Sequence, residues 1–403
     1  MVRHASVGGG ERLRVIVMGY VVRGPLAGPT WHHLQYVLGL RDLGHDVWFL
    51  EDSEDYPSCY DPQRQETTVD PRYGLAFAAR VFDRAGVGER WAYHDAHTGR
   101  WHGPAGERMK AIARDADLLL NVSGVNPVRP WLQNVRCRVL IDTDPVFTQI
   151  DCIEDAAKRA RAGEHQHFFT FGECIGRPSC SMPDDGLPWR PTRQPVALHA
   201  WPVAPPRPEG LYTTVMLWDS YDPREYRGRH YGMKALSMEA VFDFPLRLGR
   251  RFELTLGGLT SPTQRLLDAG WLLRDPIATT GDPWVYQEYM HLSKAEFSVA
   301  KHGYVVSGSG WFSERSCGYL ASGRPVVTQD TGFSAVIPVG DGLLAWRTAE
   351  EAVAAIAEVE ARYEHHCRTA RQVVEAHFDA RLVLASLLDS VSGAQAPVSP
   401  GST

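Results

Sequence analysis

The stretch GYVVSGSGWFSERSCGYLASGRPVVTQDTG, residues 303–332, gives the clearest fold signal in the chain. The apolar run at 304–306 predicts a strand, which breaks into the glycine-containing segment 307–310 and then a segment that can be helical. A second strand is predicted at 325–328, and Asp330 begins the turn that ends it. A strand, a glycine loop, a helix and a parallel strand form the repeating unit of an open α/β sheet.

The same alternation continues on both sides of this stretch. Apolar runs that predict further strands occur at 13–18, 45–52, 116–124, 136–144, 166–173, 211–218, 252–258 and 295–301. A proline-rich segment at 178–210 interrupts the pattern and predicts a linker between two α/β domains. The predicted order is a flexible tail at 1–12, a first domain at 13–205, a second domain at 206–377, a helix at 378–391 and a disordered tail at 392–403.

Composition limits the classes of function. A chain of 403 residues is too long for one ordinary core, and its 44% hydrophobic and 22% charged residues are typical of a globular protein. The net charge of −6, without a stripe of lysine and arginine, argues against a nucleic-acid partner. No apolar run reaches the roughly 18 residues of a membrane span. The N-terminus has no apolar signal core, which predicts a cytoplasmic protein.

The glycine loop predicts an anion site, because the first turn of a helix has unpaired N–H groups and a partial positive charge. Gly310 would let a phosphate approach the backbone, while Ser309 and Ser313 would add hydroxyl donors. Arg315, in the first turn of the predicted helix, would add a cation. A dinucleotide site is an alternative, since Gly308-x-Gly310-x-x-Ser313 resembles GxGxxG. The third glycine is missing, however, and the motif does not follow the first strand of a domain.

Two phrases carry a resemblance to a known family. LRDLGHDVWFLED at 40–52 is similar to the helix-to-strand phrase L..rGHeV of GT-B glycosyltransferases, and YLASGRPVVTQDTG at 319–332 is similar to their EAma.G.PVV....G. The C-terminal region resembles glycosyltransferase families 4 and 1, and the run from 303 also resembles actinobacterial glycosyltransferases. The resemblance implies the GT-B fold, in which two Rossmann-like domains face a cleft and a C-terminal helix crosses back to the N-terminal domain. It assigns the acceptor to the N-terminal domain and a nucleoside-diphosphate sugar to the C-terminal domain.

The resemblance also implies donor-binding residues. GT-B donors commonly meet a lysine after the first strand of the second domain, which makes Lys234 a candidate and Lys301 a second one. Retaining members often carry two glutamates eight residues apart, but both positions are glycine here, at Gly310 and Gly318. Glu314, one helical turn from Gly318, is then the candidate for the ribose hydroxyls, and the stereochemistry of transfer stays open. The sugar would point toward the turn formed by Asp330, Thr331 and Gly332.

Candidates for catalysis and for the acceptor side come from the first domain. Trp31, His32 and His33 start the first helix, where a histidine can accept a proton from an acceptor hydroxyl. Glu173, at the end of a predicted strand, is similarly placed. Asp144 is expected to line the cleft, because open sheets bind ligands beyond the carboxyl ends of their strands. The DTD sequence that it closes is more typical of a turn cap than of a metal site, and the GT-B resemblance requires no metal.

These patterns predict an enzyme that transfers a hexosyl or related sugar from a nucleoside-diphosphate sugar to a hydroxylated small molecule or glycan, for example in natural-product biosynthesis. No cofactor beyond the donor substrate is expected. Segments 59–110 and 178–206, the second rich in tryptophan and proline, are expected to form much of the acceptor wall. The alternatives are an epimerase-like enzyme of sugar nucleotides on the same fold and a sugar-nucleotide-binding protein without catalysis.

Overall fold

The computed structural model describes residues 11–258 and 260–393. The first domain contains strands β1 (Arg14–Met18), β2 (Asp46–Asp52), β3 (Cys59–Asp61), β4 (Glu66–Thr68), β5 (Trp91–Asp95), β6 (Arg100–His102), β7 (Leu118–Val122), β8 (Cys137–Asp142), β9 (His167–Thr170) and β10 (Trp189–Pro191). Its helices are α1 (Ala27–Asp42), α2 (Arg72–Arg84), α3 (Met109–Arg114), α4 (Phe147–Glu154) and α5 (Ala156–Ala162). The main sheet has the order β10-β9-β8-β7-β1-β2-β5-β6 and is parallel except for the β5–β6 pair.

The second domain contains strands β11 (Tyr212–Leu217), β12 (Arg224–Tyr226), β13 (Arg229–Tyr231), β14 (Phe252–Gly257), β15 (Leu272–Arg274), β16 (Ala295–Ser298), β17 (Val326–Gln329) and β18 (Leu343–Trp346). Its helices are α6 (Lys234–Met238), α7 (Phe244–Leu248), α8 (Thr263–Asp268), α9 (Pro276–Thr280), α10 (Pro283–Leu292), α11 (His302–Ser307), α12 (Glu314–Ala321), α13 (Ala349–Ala361) and α14 (Tyr363–His377). The main sheet is parallel in the order β15-β14-β11-β16-β17-β18, and β12 and β13 form a separate hairpin. A final helix, α15, covers Ala380–Gly393.

The strand orders confirm the predicted pair of α/β sheets and show where each sheet changes direction. In the first sheet the chain moves from β1 to β2 and β5, then returns to β7, β8 and β9 on the other side of β1. In the second sheet β11 is followed by β14 and β15 on one side and by β16, β17 and β18 on the other. Such switch points leave a crevice beyond the carboxyl ends of the strands, which is where open α/β sheets bind ligands.

Helices cover both faces of the first sheet, which explains why its strands are almost continuously apolar. In β1, Val15 and Val17 belong to the core shared with α1, while Ile16 and Met18 belong to a separate core on the opposite face. All four side chains are fully buried. The central strand is therefore fixed by packing on both sides, and the loop that follows it starts from a rigid support.

The final helix joins the two domains. The backbone around α15 is tied to the inter-domain segment, since Val196 N–H donates to the Phe378 carbonyl at 2.7 Å and Ala380 N–H donates to the Val196 carbonyl at 2.9 Å. A Cβ at Gly39 of α1 would lie 2.5 Å from the Cβ of Ala380, so the two helices approach at a distance that only glycine allows. The predicted crossing of the C-terminal helix back to the N-terminal domain is confirmed.

Several local predictions need correction. Residues 304–306 are not a strand but part of α11, because the strand of this unit is β16, nearer to the N-terminus. The proline-rich segment contains β10, which pairs with β9 at the sheet edge, where proline is tolerated. The predicted tail at 392–403 begins too early, since 392 and 393 belong to α15; positions 1–10 and 394–403 lie outside the described residues. Within the described part, no helix is long and apolar enough to cross a bilayer.

Candidate active site

Helix α1 brings the aromatic and histidine candidates of the first domain against the second domain. The Trp31 indole N–H donates to the Pro283 carbonyl at 2.8 Å, and its ring centroid lies 5.0 Å from that of Trp201 and 5.9 Å from that of Trp284. Only 5% of Trp31 is exposed. Trp31 therefore packs between α1 and α10, and its indole N–H is not available to a ligand because it donates to Pro283.

His33 is a neutral imidazole oriented by the backbone. Its Nδ1 lies 2.7 Å from the Pro29 carbonyl, which can only accept, so Nδ1 carries the proton and Nε2 is left as an acceptor. Nε2 is buried without a partner among the described residues. Burial holds the pKa of His33 well below its usual value, and the neighbouring His32 lowers it further. A Cβ at Gly19 would lie 1.9 Å from the ring, so this glycine is needed to seat His33 at the end of β1.

His32 faces the second domain. It lines a small cavity of about 20 Å³ whose walls include Gln35, Gln194, Tyr286 and Glu314. Its Nε2 is also buried without a partner in the described part of the chain. Burial lowers the pKa of His32, while the charge of Glu314 opposes this. The structure thus brings together His32 and Glu314, two candidates that are distant in sequence.

Three cations were expected near the donor, and they differ in availability. The Arg315 guanidinium is buried, and it donates to Glu296 Oε1 at 2.6 Å and to the Val215 carbonyl at 2.9 Å. The Lys301 ammonium donates to Asp144 Oδ1 at 3.0 Å and to a tyrosine hydroxyl at 2.7 Å. Among the described residues, no hydrogen bond or ion pair is made by the Lys234 ammonium at the first position of α6.

Lys234 lies in an electrostatic environment of mixed charge. Its pKa is lowered from 10.5 to about 7 by burial, and the positive charges of Arg315 and Lys301 add to the effect while Glu314 opposes it. The Lys234 ammonium is therefore close enough to Arg315 and Glu314, the first two residues of α12, to be affected by their charges. Ser313 is the N-cap of that helix, since its Oγ accepts from the Arg315 backbone N–H at 3.3 Å. Lys234, which is unpaired among the described residues, is therefore within electrostatic reach of the N-terminus of α12.

The glycine loop is less open than the sequence suggested. The backbone N–H of Gly310 donates to the Thr331 carbonyl at 2.8 Å, and that of Ser309 donates to the Tyr304 carbonyl at 3.3 Å. The Ser309 hydroxyl is turned to the same Tyr304 carbonyl at 3.4 Å. Gly310 has a φ of +79°, and a Cβ there would lie 2.7 Å from the backbone nitrogen of Cys174. The glycine lets the two domains approach each other, and its N–H is already used.

The turn after β17 is likewise engaged in internal contacts. Asp330 accepts from Gly332 N–H at 2.9 Å, from the Ser334 hydroxyl at 2.7 Å and from Arg347 Nη2 at 2.7 Å. The Thr331 hydroxyl donates to the Trp311 carbonyl. In this conformation Thr331 connects the turn to the glycine loop, and Asp330 stabilises the turn itself.

Asp144 and Glu173 lie at different places along the domain junction. Asp144 follows β8 and reaches the second domain, where it accepts from Lys301. Glu173 is paired with Arg193 and lines a groove of about 360 Å³ against α15, together with His377. Burial raises the pKa of Glu173 to about 7, although the charge of Arg193 opposes this. The structure does not show Glu173 in the small cavity with His32.

Tyr20 is a cleft residue that the sequence patterns did not identify. It follows β1 directly, and its ring centroid lies 4.8 Å from that of His33 in an edge-on arrangement. Burial raises its pKa to about 12, and the charges of Glu314 and Asp144 add to this. Its position after the first strand of a Rossmann-like sheet was the available signal. Tyr221 and Tyr304 are the tyrosine partners of Asp144. The sequence does not indicate these contacts, because Asp144 is 77 and 160 residues away from them in the chain.

Groups of three or more His, Cys, Asp or Glu side chains able to hold a metal ion are not found in residues 11–258 and 260–393.

Several solved structures share the architecture of the chain. An alpha-glucosyltransferase in complex with UDP and a 13-mer DNA containing an HMU base has a TM-score of 0.57 at 10% identity, over 95% of this chain and 100% of that chain. HepE from Anabaena, in complex with UDP and glucose, has a TM-score of 0.54 at 11% identity, over 95% and 100%. AviGT4, a glycosyltransferase involved in avilamycin A biosynthesis, has a TM-score of 0.50 at 14% identity, over 95% and 99%.

No protein-family profile matches the chain, and no curated protein matches it in sequence. At such low identities the likeness to solved structures establishes architecture, and it extends over nearly the whole chain. Two mainly parallel sheets, each with a switch point beside its first strand, are joined by a returning C-terminal helix. The chain therefore has the GT-B fold.

Proposed function

We propose that the protein is a glycosyltransferase that uses a nucleoside-diphosphate sugar as donor. The observation that carries the proposal is the ammonium of Lys234, which starts the first helix after β11 and makes no hydrogen bond or ion pair among the described residues, while the charges of the first turn of α12 reach it. A diphosphate is the ligand chemistry that fits a cation and a helix N-terminus together. Structures of the same architecture have been determined with UDP or UDP-glucose, which makes a uridine nucleotide the first donor to test.

In this proposal the diphosphate contacts Lys234 and the first turn of α12, and the ribose lies toward Glu314. The phosphate does not bind the backbone amide of Gly310, because that N–H already donates to the Thr331 carbonyl. Breaking the sugar–phosphate bond leaves negative charge on the diphosphate, and a preplaced cation stabilises that charge in the transition state. Arg315 supports the same region, although its guanidinium is held by Glu296.

The acceptor hydroxyl must lose a proton during transfer. We assign this step to the pair His32 and His33, because both are buried, their pKa values are lowered, and both Nε2 atoms lack a partner among the described residues. A neutral imidazole can take the proton directly. His32→Gln and His33→Gln variants separate the two: loss of transfer with unchanged UDP affinity identifies the base.

The acceptor is proposed to be a hydroxylated small molecule or a glycan under construction, bound by the first domain. AviGT4, involved in avilamycin A biosynthesis, is a neighbour consistent with such an acceptor. The alpha-glucosyltransferase neighbour was determined with DNA, but the net charge of −6 of this chain favours a neutral acceptor. Including DNA in acceptor screens tests this choice.

Calorimetric titration with UDP, dTDP, GDP and NAD tests the donor. Binding of at least one nucleoside diphosphate, followed by turnover of its sugar conjugate, supports the proposal. Assays with EDTA and with added Mg²⁺ measure whether transfer depends on a metal. Binding of NAD alone contradicts the proposal, and diphosphate binding without turnover of any sugar nucleotide favours a non-catalytic binding protein.

A further inference from the structure

The carboxylate of Asp144 in the first domain is held by three groups of the second domain. Oδ1 accepts from the Lys301 ammonium at 3.0 Å and from the Tyr304 hydroxyl, and Oδ2 accepts from the Tyr221 hydroxyl. The three donors come from different segments, namely the loop after β11, the loop after β16, and α11. Each contact crosses the domain junction, so opening the cleft breaks all three at once.

Lys301 is enclosed by aromatic rings from both domains. Its ammonium lies 5.1 Å from the ring centroid of Phe147 in the first domain, and 4.3 Å and 5.3 Å from those of Tyr221 and Tyr304. The Lys301 side chain is 12% exposed and Asp144 is 33% exposed. A cation over several rings and beside a carboxylate is strongly held, because water competes weakly for a partly desolvated pair.

The loop that carries Asp144 is rigid. Asp142 accepts from the hydroxyls of Thr148 at 2.6 Å and Thr170 at 2.7 Å, and from the Gln149 amide at 3.0 Å. Val146 has a φ of +76°, a region that β-branched residues rarely adopt. Such a conformation persists only where the surroundings over-determine it, as the Asp142 contacts do here. Asp144 is therefore held by the first domain, and movement of the second domain away from it would break the contacts between them.

Further contacts close the same end of the cleft. Arg224 of the β12–β13 hairpin donates from Nε to Asp151 Oδ1 of α4 at 2.9 Å. The Trp311 indole N–H donates to the Thr143 carbonyl at 3.1 Å. Phe147 packs edge-on against Tyr304, with centroids 5.8 Å apart. These contacts add to those of Asp144 across the domain junction.

We propose that Asp144 and Lys301 form a lock that holds the two domains closed before any ligand binds. Inter-domain contacts within a chain usually resemble transient interfaces and allow relative motion, so a closed resting state needs a specific device. The lock is such a device, since removing one partner leaves a partly desolvated charge unpaired. The ammonium of Lys301 is then engaged in holding the domains together, and Lys234 remains as the cation for a ligand. The proposal concerns the ligand-free protein and does not depend on the proposed function.

Small-angle X-ray scattering of the ligand-free protein tests the lock. A compact chain of this length has a radius of gyration of about 21–22 Å. The wild type is expected near that value, and Asp144→Ala and Lys301→Met are each expected to increase it. The double variant is expected to be no larger than the single variants, because both remove the same interaction. Asp155→Asn, which loses a carboxylate at the N-cap of α5 within the first domain, is the matched control.

Melting curves identify variants that misfold, and Asp144→Asn, which keeps the shape of the side chain, replaces the alanine variant in that case. Hydrogen exchange of the α11 amides gives a second readout, which is expected to speed up in the lock variants alone. The proposal is overturned if the ligand-free wild type already has the larger radius, or if the lock variants scatter as the wild type does. It is also overturned if Asp155→Asn expands the protein as much as Asp144→Ala.

Discussion

Replacing Lys234 with methionine removes the proposed diphosphate contact while keeping an unbranched side chain. Lys234 has no ion-pair or hydrogen-bond partner in the described part of the chain, so the change breaks no internal hydrogen bond or ion pair. Loss of a hydrogen bond to a charged group costs about 1.5–3 kcal/mol. The expected result is therefore about a ten- to hundred-fold weaker affinity for UDP at a pH where the ammonium is present.

The same contact makes UDP binding depend on pH in a defined direction. The pKa of Lys234 is lowered from 10.5 to about 7 by burial and by the charges of Arg315 and Lys301. Only the ammonium attracts a diphosphate, so wild-type affinity should fall as the pH rises above about 7, by at most the roughly ten- to hundred-fold that the contact contributes. The methionine variant has no titrating group at this position. The ratio of wild-type to variant affinity should therefore shrink as the pH rises from about 6.5 to about 9.

Unfolding at high pH does not produce the same effect. Because the pKa of folded Lys234 is lowered, the unfolded chain binds more protons between about pH 7 and 10.5. The contribution of Lys234 to the free energy of unfolding therefore rises with pH across that window. Deprotonation of Lys234 does not destabilise the fold in this pH range. A loss of UDP affinity over the same range therefore reports on the binding site and not on unfolding.

Calorimetry with UDP across this pH range, in buffers of different ionisation enthalpy, measures both the affinity and the proton taken up on binding. Lys158→Met, which removes an exposed lysine of α5 on the first domain, is the control for the change in net charge. If Lys234→Met binds UDP as tightly as the wild type at about pH 6.5, the ammonium does not contact the donor. A ratio that stays constant with pH refutes the lowered pKa.

Three further outcomes are expected. Burial raises the pKa of Glu173 from 4.5 to about 7, so its stabilising contribution is lost as the pH rises through that window. The melting temperature of the wild type relative to Glu173→Gln should fall across it, and a constant difference would show that the carboxyl is not shifted. Gly310→Val should destabilise the fold by about 1–3 kcal/mol more than Gly99→Val, because Gly99 shares the positive φ but has no atom within 4 Å of its Cβ position. Equal melting temperatures would refute the close approach to Cys174. Glu51 accepts from three backbone N–H groups at 2.7 Å and pairs with Arg23, so urea unfolding should show Glu51→Ala to cost about 3–5 kcal/mol. A cost below about 1 kcal/mol would mean that the loop after β1 is not held by this carboxylate.

The fold could be predicted because its strands are buried on both faces and are separated by clear breaks. β1 reads as an almost continuous apolar run, and the two valines that start β17 follow a clear break after a helical pattern. The segment 304–306 was assigned wrongly because three apolar residues carry no periodicity that separates a strand from a helix. The strand β16 already occupies the place between β11 and β17 in the sheet, so residues 304–306 belong to the helix α11 that follows it.

The site could be predicted only where a residue's role follows from its place in the chain. Lys234 and His32 belong to the first helix that follows the first strand of their domains, so the topology alone directs them toward the cleft. The engagement of Lys301 could not be predicted, because its partner Asp144 is 157 residues away. The glycine at 310 was interpreted as space for a phosphate, whereas its neighbour is Cys174 of the other domain. A glycine shows that something approaches closely, but the sequence does not say what.

Closure of the domains and assembly of the candidate site are consequences of the same contacts. Tyr304 of the lock and Glu314 of the site belong to one run of the second domain, so both move together relative to α1. Opening the cleft would therefore separate Glu314 from His32, which share the walls of the small cavity only when the domains are closed. A lock at Asp144 keeps the two halves aligned but opposes the entry and exit of ligands. Weakening the lock would therefore increase the rates at which substrate enters and product leaves, and it would not improve the alignment of the two halves.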